Sequence, residues 1–175
     1  VLTAMNIAQF ELAGYEGDDV LGTIAKKALE LNIEPVIVSG DRDLLQLATD
    51  KVKIRIPKTK MGKTEVEDYY AQDVLEKYEV TPKEFIDVKA LMGDASDNVP
   101  GVPSIGEKTA VKIIKQFHSV EAAIASAQLI KPQKAADNLI EYKDMALLSK
   151  ELVTIDVNVP IDVDFVKAKH EDIMT

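Results

Sequence analysis

The feature that most constrains the fold is a run of three β-branched residues, Val36-Ile37-Val38, which follows Pro35. Such an uninterrupted apolar run is typical of a strand buried on both faces of a parallel sheet. The segment before it, from Asp18 to Leu31, carries apolar residues at helical spacing and predicts a helix. Residues 8–12 predict another strand upstream of that helix. Strand, helix and strand in this order predict an α/β core with a parallel sheet.

Beyond this core the pattern becomes mostly helical. Residues 52–56 alternate apolar and basic side chains, which predicts a strand with one solvated face. A turn rich in lysine and glycine is expected from Pro57 to Thr64. The remaining predicted elements are a short helix over 44–48, helices over 71–78, 82–92 and 109–117, and alanine-rich helices to about Lys150.

Composition excludes several kinds of site. The chain of 175 residues has no cysteine and two isolated histidines, which excludes disulfides and thiolate metal sites and argues against zinc. No apolar run reaches about 18 residues, so no membrane span is expected. The net charge of -9 argues against a phosphate-rich partner unless the basic residues are concentrated on one surface.

Three clusters of acidic residues stand at the ends of predicted elements, each beside a glycine. They are Glu16, Asp18 and Asp19, then Asp41 and Asp43, then Asp94 and Asp97. The first two clusters follow predicted strands, where open α/β sheets place their functional crevice. Carboxylates gathered there would repel one another unless cations lay between them. Oxygen ligands without sulfur or imidazole favour Mg²⁺ or Mn²⁺, and two such ions are the usual device for phosphodiester hydrolysis.

Each cluster also has a structural interpretation. Asp18 and Asp19 can cap a helix and complement its dipole. The pair at 41 and 43 can be turn residues, or an Asp-x-Asp arrangement like that of aspartyl phosphatases. The pair at 94 and 97 can be a simple loop, because it lacks the ligand ladder of a calcium loop. The occurrence of all three at predicted element ends favours a metal site.

A glycine-containing loop leads into a helix that carries three lysines, Lys108, Lys112 and Lys115. Backbone N–H groups at such a helix start can bind phosphate oxygens independently of base sequence. The candidate DNA-binding residues are Gly101, Val102, Ser104, Ile105, Gly106, Lys108, Thr109 and Lys112. The alternative is a structural helix-turn-helix with a solvated lysine face.

Four segments in this order resemble the 5' nuclease (5'-3' exonuclease) domain of bacterial DNA polymerases I, within the flap endonuclease superfamily. They are residues 15–20, 40–47, 93–102 and 105–110. The resemblance implies an α/β fold of the PIN/flap-endonuclease type, with a parallel-sheet core flanked by helices and followed by an all-helical helix-hairpin-helix subdomain. It implies residues 1–80 as the carboxyl part of the nuclease core and residues 81–175 as the helical subdomain.

The same resemblance implies a two-metal site in which all seven acids are catalytic. Glu16, Asp18 and Asp19 would serve the first ion. Asp41, Asp43, Asp94 and Asp97 would serve the second. The stretch over 99–115 is similar to the helix-hairpin-helix that grips the duplex backbone and holds a K⁺ ion through main-chain carbonyls.

The implied activity is cleavage near a 5' end in primer removal and DNA repair. The implied partners are duplex DNA with a 5' flap or RNA primer and the polymerase domains of the same chain, without any membrane, in the cytoplasm. Two alternatives are a non-catalytic duplex-binding module and a stand-alone 5'-3' exonuclease without a polymerase.

Two departures from the family pattern carry expectations. Ser104 stands where many relatives carry a hairpin glycine, so a positive φ would be costlier there. The front of the family's domain, with its central strand and helical arch, is not found before Val1. Weak or absent cleavage is therefore expected from these 175 residues alone. The sheet is expected to have a gap or an exposed edge.

Overall fold

The structure is a computed structural model, and it describes residues 1–60 and 63–169. Contacts divide the chain into two compact units. The first contains residues 1–33 and the chain from Asp156 onward, and the second runs from Glu34 to Ile155. Within the described residues, no helix is long and apolar enough to cross a membrane.

The first unit is built on helix α1 (Gly17–Glu30), which agrees with the predicted helix. Val20 on its inner face packs with Val159 and Ile161. Thr23 is buried, and its hydroxyl accepts a hydrogen bond from the backbone N–H of Val159 at 3.0 Å. The strand predicted over residues 8–12 is wrong, because that segment is irregular. The described part of this unit holds no strand with which it could pair, and a lone strand leaves its backbone groups unbonded.

The second unit contains a three-stranded sheet in the order β1 (Val36–Val38), β2 (Lys53–Lys60) and β3 (Lys63–Tyr69). β1 and β2 are parallel, whereas β2 and β3 are antiparallel. Among the described residues β1 lies at an edge of the sheet, as expected.

Burial of β1 on both faces, predicted from its β-branched run, is wrong for the described chain. Ile37 is 4% exposed, but Val36 and Val38 are 50% and 60% exposed. Successive side chains of a strand point to opposite faces, so only one face of β1 is covered.

The turn predicted from Pro57 to Thr64 is wrong in extent. Pro57 lies within β2 and pairs with Val66, and the ladder continues to the pair formed by Lys60 and Lys63. Residues 61 and 62 of that expected turn lie outside the described residues. Strand β3 was not predicted, because its charged side chains hide the alternation. Cross-strand charge pairs stabilise it instead, such as Arg55 and Asp68 with nitrogen and oxygen 2.7 Å apart.

Helices form the rest of the second unit. They are α2 (Ala71–Tyr78), α3 (Pro82–Met92), α4 (Glu107–Phe117), α5 (Val120–Ala125), α6 (Gln133–Glu141) and α7 (Lys143–Val153). α2 and α3 agree with their predicted bounds. Thr81 caps α3 as expected, since its hydroxyl accepts a hydrogen bond from the backbone N–H of Glu84 at 3.2 Å. The short predicted helix near residue 44 is a 3-10 helix from Asp43 to Leu47.

Helix α3 is the central element of the second unit, in contact with α4, α7 and the 3-10 helix. A buried ion pair ties it to α7. Asp87 is 4% exposed, and its Oδ1 lies 2.7 Å from Nζ of Lys150. The same oxygen accepts the backbone N–H of Val120 at 2.9 Å. The carboxylate of Asp87 therefore joins α3 to both α5 and α7.

Candidate metal centre and nucleic-acid interface

The loop after α3 closes on itself through a pair of backbone hydrogen bonds. The N–H of Asp94 donates to the carbonyl of Val99 at 2.9 Å, and the reverse bond is 2.8 Å long. Gly93 and Gly101 meet at the base of this loop with φ values of +73° and +63°. A Cβ atom on Gly101 would lie 2.5 Å from the backbone nitrogen of Gly93, so only glycine fits there.

Three of the predicted acids converge at this loop. One carboxylate oxygen from each of Asp43, Asp94 and Asp97 lies within 4.8 Å of the others. Ligand oxygens around an octahedral Mg²⁺ are about 3 to 4.2 Å apart, given metal–oxygen distances near 2.1 Å. The three oxygens therefore fit a hard divalent ion with small adjustments, and we call them the acid cluster.

A lysine that the sequence did not reveal lies among these acids. Nζ of Lys89 is 2.8 Å from Oδ1 of Asp43 and 2.6 Å from Oδ2 of Asp94. Lys89 precedes Asp94 by five residues and reaches the cluster from α3. Sequence spacing alone does not reveal this contact, because it depends on the packing of α3 against the 3-10 helix that carries Asp43.

The ionisation of these groups follows from burial and from their contacts. Burial raises the pKa of Asp43, an effect that Lys89 opposes and that Asp41 and Asp94 reinforce. The pKa of Asp94 lies well below its usual range because Lys89 and then Ser96 donate hydrogen bonds to its carboxylate. Burial alone would lower the pKa of Lys89, but the bonds to Asp43 and Asp94 outweigh it, and that pKa is raised.

Asp41 is exposed and precedes Asp43, a member of the acid cluster, by two residues. Its Oδ1 accepts the backbone N–H of Asp43 at 2.8 Å, and its own N–H donates to Oγ of Ser39 at 3.1 Å. These bonds shape the turn after β1, as the turn interpretation proposed. They also fix the backbone that presents the carboxylate of Asp43.

The remaining predicted acids lie at the start of α1 in the first unit. Asp19 has a structural role there, because its Oδ2 accepts the N–H of Glu16 at 3.2 Å and its Oδ1 accepts the N–H of Asp156 at 2.8 Å. Glu16 is exposed, and Asp18 and Asp19 are half-buried. The capping interpretation therefore holds for Asp19, whatever further role its carboxylate has.

The predicted hairpin directly follows the loop that carries Asp94 and Asp97. Val102 and Ile105 are each 3% exposed, so their side chains belong to the core. Ser104 adopts a positive φ, at +66°, which is the costlier conformation for a residue with a Cβ atom. The carbonyl of Pro103 accepts a hydrogen bond from Nδ2 of Asn138 at 2.7 Å, which fixes the hairpin to α6.

The hairpin ends at Gly106, the N-cap of α4. Lys108 and Lys112, four residues apart, are both exposed and lie on one face of the helix, and Thr109 is half-buried. Gly101 is buried and Gly106 is exposed. The exposed helix start and the two lysines can bind a phosphodiester backbone.

A cavity of about 300 Å³ lies beside the acid cluster in the second unit. Apolar side chains of α3, among them Phe85 and Met92, line it together with Val111 of α4. Lys89 and Glu107 also line its wall.

This fold and its acid cluster are those of a metal-dependent nuclease. Comparison with known sequences agrees. Residues 1–79 match the family described as the 5'-3' exonuclease, N-terminal resolvase-like domain. Residues 80–175 match the 5'-3' exonuclease, C-terminal SAM fold. The chain belongs to the 5'-3' exonuclease family.

Relatives of known sequence are much longer than this chain. It is 50% identical over 163 residues to a DNA polymerase I of Bacillus subtilis (strain 168), which covers 93% of the chain and 18% of the relative. It is 47% identical over 174 residues to a DNA polymerase I of Bacillus caldotenax, with 98% and 20% covered. The chain thus spans about a fifth of the length of the relatives that it matches.

Solved structures agree with the family. A structure of T5 5'-exonuclease with bound zinc ions matches with a TM-score of 0.72 and 31% identity, covering 84% of this chain and 52% of that one. The catalytic core of Rad2 with DNA substrate matches with a TM-score of 0.51 and 20% identity, covering 82% and 49%, which shows a shared fold.

These comparisons confirm the predicted family, the α/β core with a helical subdomain and the nuclease class. They favour a nuclease over a non-catalytic duplex-binding module. They also favour a nuclease domain like that of the DNA polymerase I relatives over a stand-alone exonuclease.

Proposed function

We propose that the full-length protein to which this chain belongs hydrolyses phosphodiester bonds with two divalent ions, Mg²⁺ or Mn²⁺, on duplex DNA that carries a 5' flap or an RNA primer, and that these 175 residues alone cleave it weakly or not at all. The observation that supports it most is the approach of Asp43, Asp94 and Asp97 to within 4.8 Å. Such an ion, when bound, activates a water molecule or stabilises the leaving oxygen. Asp41 orients the turn that carries Asp43.

Glu16, Asp18 and Asp19 are proposed as the ligands of the first ion, and Asp41, Asp43, Asp94 and Asp97 as the ligands of the second. The chemistry of the donors supports the choice of metal, because carboxylate oxygens alone favour hard divalent ions. The metal ions in the T5 5'-exonuclease structure support a metal requirement in the family.

The duplex would lie against the hairpin over residues 101–106 and the first turn of α4. Exposed lysines on one helix face and the N–H groups of a helix start support this placement, since phosphate contacts need no base readout. A K⁺ ion held by hairpin carbonyls would add a fixed positive charge. The DNA complex of the bacteriophage T5 flap endonuclease supports nucleic acid as the partner.

We also propose the division at residue 80 into the carboxyl part of the nuclease core and a duplex-binding subdomain. The two family descriptions, which meet between residues 79 and 80, support this division. The polymerase relatives support the presence of polymerase domains in the same protein and primer removal and repair as its role. A cytoplasmic location is part of the proposal, and the bacterial DNA polymerase I relatives support it.

The test of the metal site uses the full-length protein with Asp43→Asn. Binding of the second of the two Mn²⁺ ions, measured by calorimetry as a lower stoichiometry, and cleavage of a 5'-flap duplex are both expected to be lost, whereas affinity for the duplex survives. Asp50→Asn removes an exposed carboxylate a few residues away and serves as the matched control. Unchanged Mn²⁺ binding in Asp43→Asn would contradict the proposed metal site.

The duplex interface has a separate test. Lys108→Ala and Lys112→Ala are each expected to lower duplex affinity and to reduce the slope of log K against log salt by about 1. Lys143→Ala, at the exposed start of α7, is the matched control. A salt slope that does not change in either α4 variant would remove that lysine from the interface.

A further inference from the structure

The ammonium group of Lys89 binds two of the three carboxylates that the acid cluster would offer to a divalent ion. It is within hydrogen-bond distance of both Asp43 and Asp94, at 2.8 and 2.6 Å, and its side chain is only 12% exposed. Two cations that share these oxygens would lie within about 3 to 4 Å of each other and repel. Lys89 and the ion therefore compete for the same carboxylates.

The hydrogen bonds of Asp94 sharpen this competition. Its Oδ2 accepts from Lys89, and its Oδ1 accepts from the backbone N–H of Ser96 at 2.9 Å and from the Ser96 hydroxyl. These bonds use three of the roughly four lone-pair positions of a carboxylate. When Lys89 no longer donates to Oδ2 of Asp94, that oxygen is free to bind a metal ion.

The neighbouring cavity offers the displaced ammonium a place. Lys89 lines this cavity of about 300 Å³, whose lining also includes the carboxylate of Glu107 and the guanidinium of Arg42. The ammonium of a lysine sits on a flexible stem of four carbons, so it can move while the backbone of Lys89 stays in α3. The ammonium can therefore move away from Asp43 and Asp94 and still have a negatively charged group, Glu107, in the cavity that it enters.

We propose that Lys89 is an exchangeable counter-cation of the acid cluster. It neutralises Asp43 and Asp94 while no ion is bound, and a divalent ion displaces its ammonium into the cavity. The inference rests on the proposed function, because it assumes that the acid cluster holds the ion. Lys89 is a positioning residue in this scheme, since it keeps two mutually repelling carboxylates together before the ion arrives.

The test measures Mn²⁺ affinity of the full-length protein by calorimetry, without any cleavage assay. Lys89→Met is expected to bind Mn²⁺ about ten-fold more tightly than the wild type, because the competing charge is gone. Lys89→Arg keeps the charge and is expected to stay close to the wild type. Equal or weaker binding by Lys89→Met, or a gain as large in Lys89→Arg, would overturn the proposal.

Asp94→Asn separates this inference from the proposed function. Loss of one of the two Mn²⁺ ions in Asp94→Asn, together with unchanged binding in Lys89→Met, refutes only the role of Lys89. Mn²⁺ binding that Asp94→Asn leaves intact refutes the metal site itself.

A second measurement on the wild type covers the case in which Lys89→Met does not fold. Reductive methylation followed by mass spectrometry reports how readily each lysine amine reacts. Lys89 is expected to react faster at saturating Mg²⁺ than without it, whereas Lys115, which pairs with Glu79 at 3.3 Å, stays unchanged. A Lys89 rate that does not respond to Mg²⁺ contradicts the displacement.

Discussion

The hydroxyl oxygen of Ser149 accepts the backbone N–H of Gly101 at 3.0 Å, although 48 residues separate them in the chain. Both groups are buried. The bond joins α7 to the base of the hairpin. Helix α7 thereby takes part in shaping the proposed duplex interface.

Ser149→Ala is expected to destabilise the protein by about 1 to 3 kcal/mol, because the N–H of Gly101 stays buried without an acceptor. Chemical denaturation measures this loss. Thr154→Ala, which removes an exposed hydroxyl that donates to the carbonyl of Lys150 at 2.6 Å, is the control and is expected to cost less than about 0.5 kcal/mol. Equal costs for the two variants would show that burial of the bond is unimportant.

Two glycines give opposite expectations for the same substitution. Gly101→Ala places a Cβ atom 2.5 Å from the backbone of Gly93 at a φ of +63°, and it is expected to cost more than about 2 kcal/mol. Gly106→Ala meets no atom within 4 Å and has a φ of -91°. Its cost is expected to stay below about 1 kcal/mol. Thermal unfolding compares the two, and a mild effect of Gly101→Ala would contradict the close approach.

Ser104→Gly is expected to stabilise the hairpin. The φ of Ser104 is +66°, a region that a residue with a Cβ adopts only at a cost. Relief of this strain is partly offset by the greater freedom of glycine in the unfolded chain, so the net gain is expected to be at most about 1 kcal/mol. A rise in the melting temperature checks it, and a fall would show that the serine side chain contributes a contact of its own.

The ion pair of Asp87 and Lys150 should be far more important than an exposed pair. Lys150→Met leaves the buried carboxylate of Asp87 without its charged partner, at an expected cost of about 3 to 5 kcal/mol. Lys115→Met breaks the exposed pair with Glu79 and should cost less than about 1 kcal/mol. Denaturant midpoints of the two variants give the comparison, and similar midpoints would contradict the difference in burial.

Glu67 makes stability depend on pH. Hydrogen bonds from Lys58, Tyr69 and Lys77 lower the pKa of Glu67 to about 2, from an ordinary value of 4.5. The unfolded chain therefore binds the proton first as pH falls, so the stabilising contribution of Glu67 is present above pH 4.5 and is lost between 4.5 and about 2.

The difference in unfolding free energy between the wild type and Glu67→Gln is therefore expected to shrink as pH falls through that window. Denaturation at several pH values measures it. Glu65→Gln, two residues away on β3, matches the loss of charge. A difference for Glu67→Gln that stays constant from pH 5 down to pH 2 would contradict the lowered pKa.

Periodicity predicted the helices well because apolar spacing and capping are local properties. The run from Pro82 to Met92 has a proline at its first turn and a capping threonine before it, and the structure begins and ends the helix there. Strands were harder to predict, because a strand is stabilised by partner strands that lie elsewhere in the chain. β3 exists because Asp68 and Glu67 face the cations of β2 and α2, and a single segment does not show this.

The site was predictable in its residue types but not in its internal contacts. The order of Asp41, Asp43, Asp94 and Asp97 indicated a metal site, and the structure brings three of these four within range of one ion. The position of Lys89 among them depends on how α3 packs beside the 3-10 helix that follows β1. Packing of this kind is a tertiary property, and charge patterning along the sequence does not determine it.

The contact between Gly93 and Gly101 couples the loop that carries Asp94 and Asp97 to the proposed duplex-binding hairpin. Their backbones touch where the Asp94–Val99 bonds close the loop, so a force that tilts the hairpin also shifts the carboxylate of Asp94. Adding or deleting a single residue between these two glycines would misalign both surfaces together. Designs that aim to change the affinity for a duplex should therefore vary α4 and leave the span from 93 to 101 at its present length.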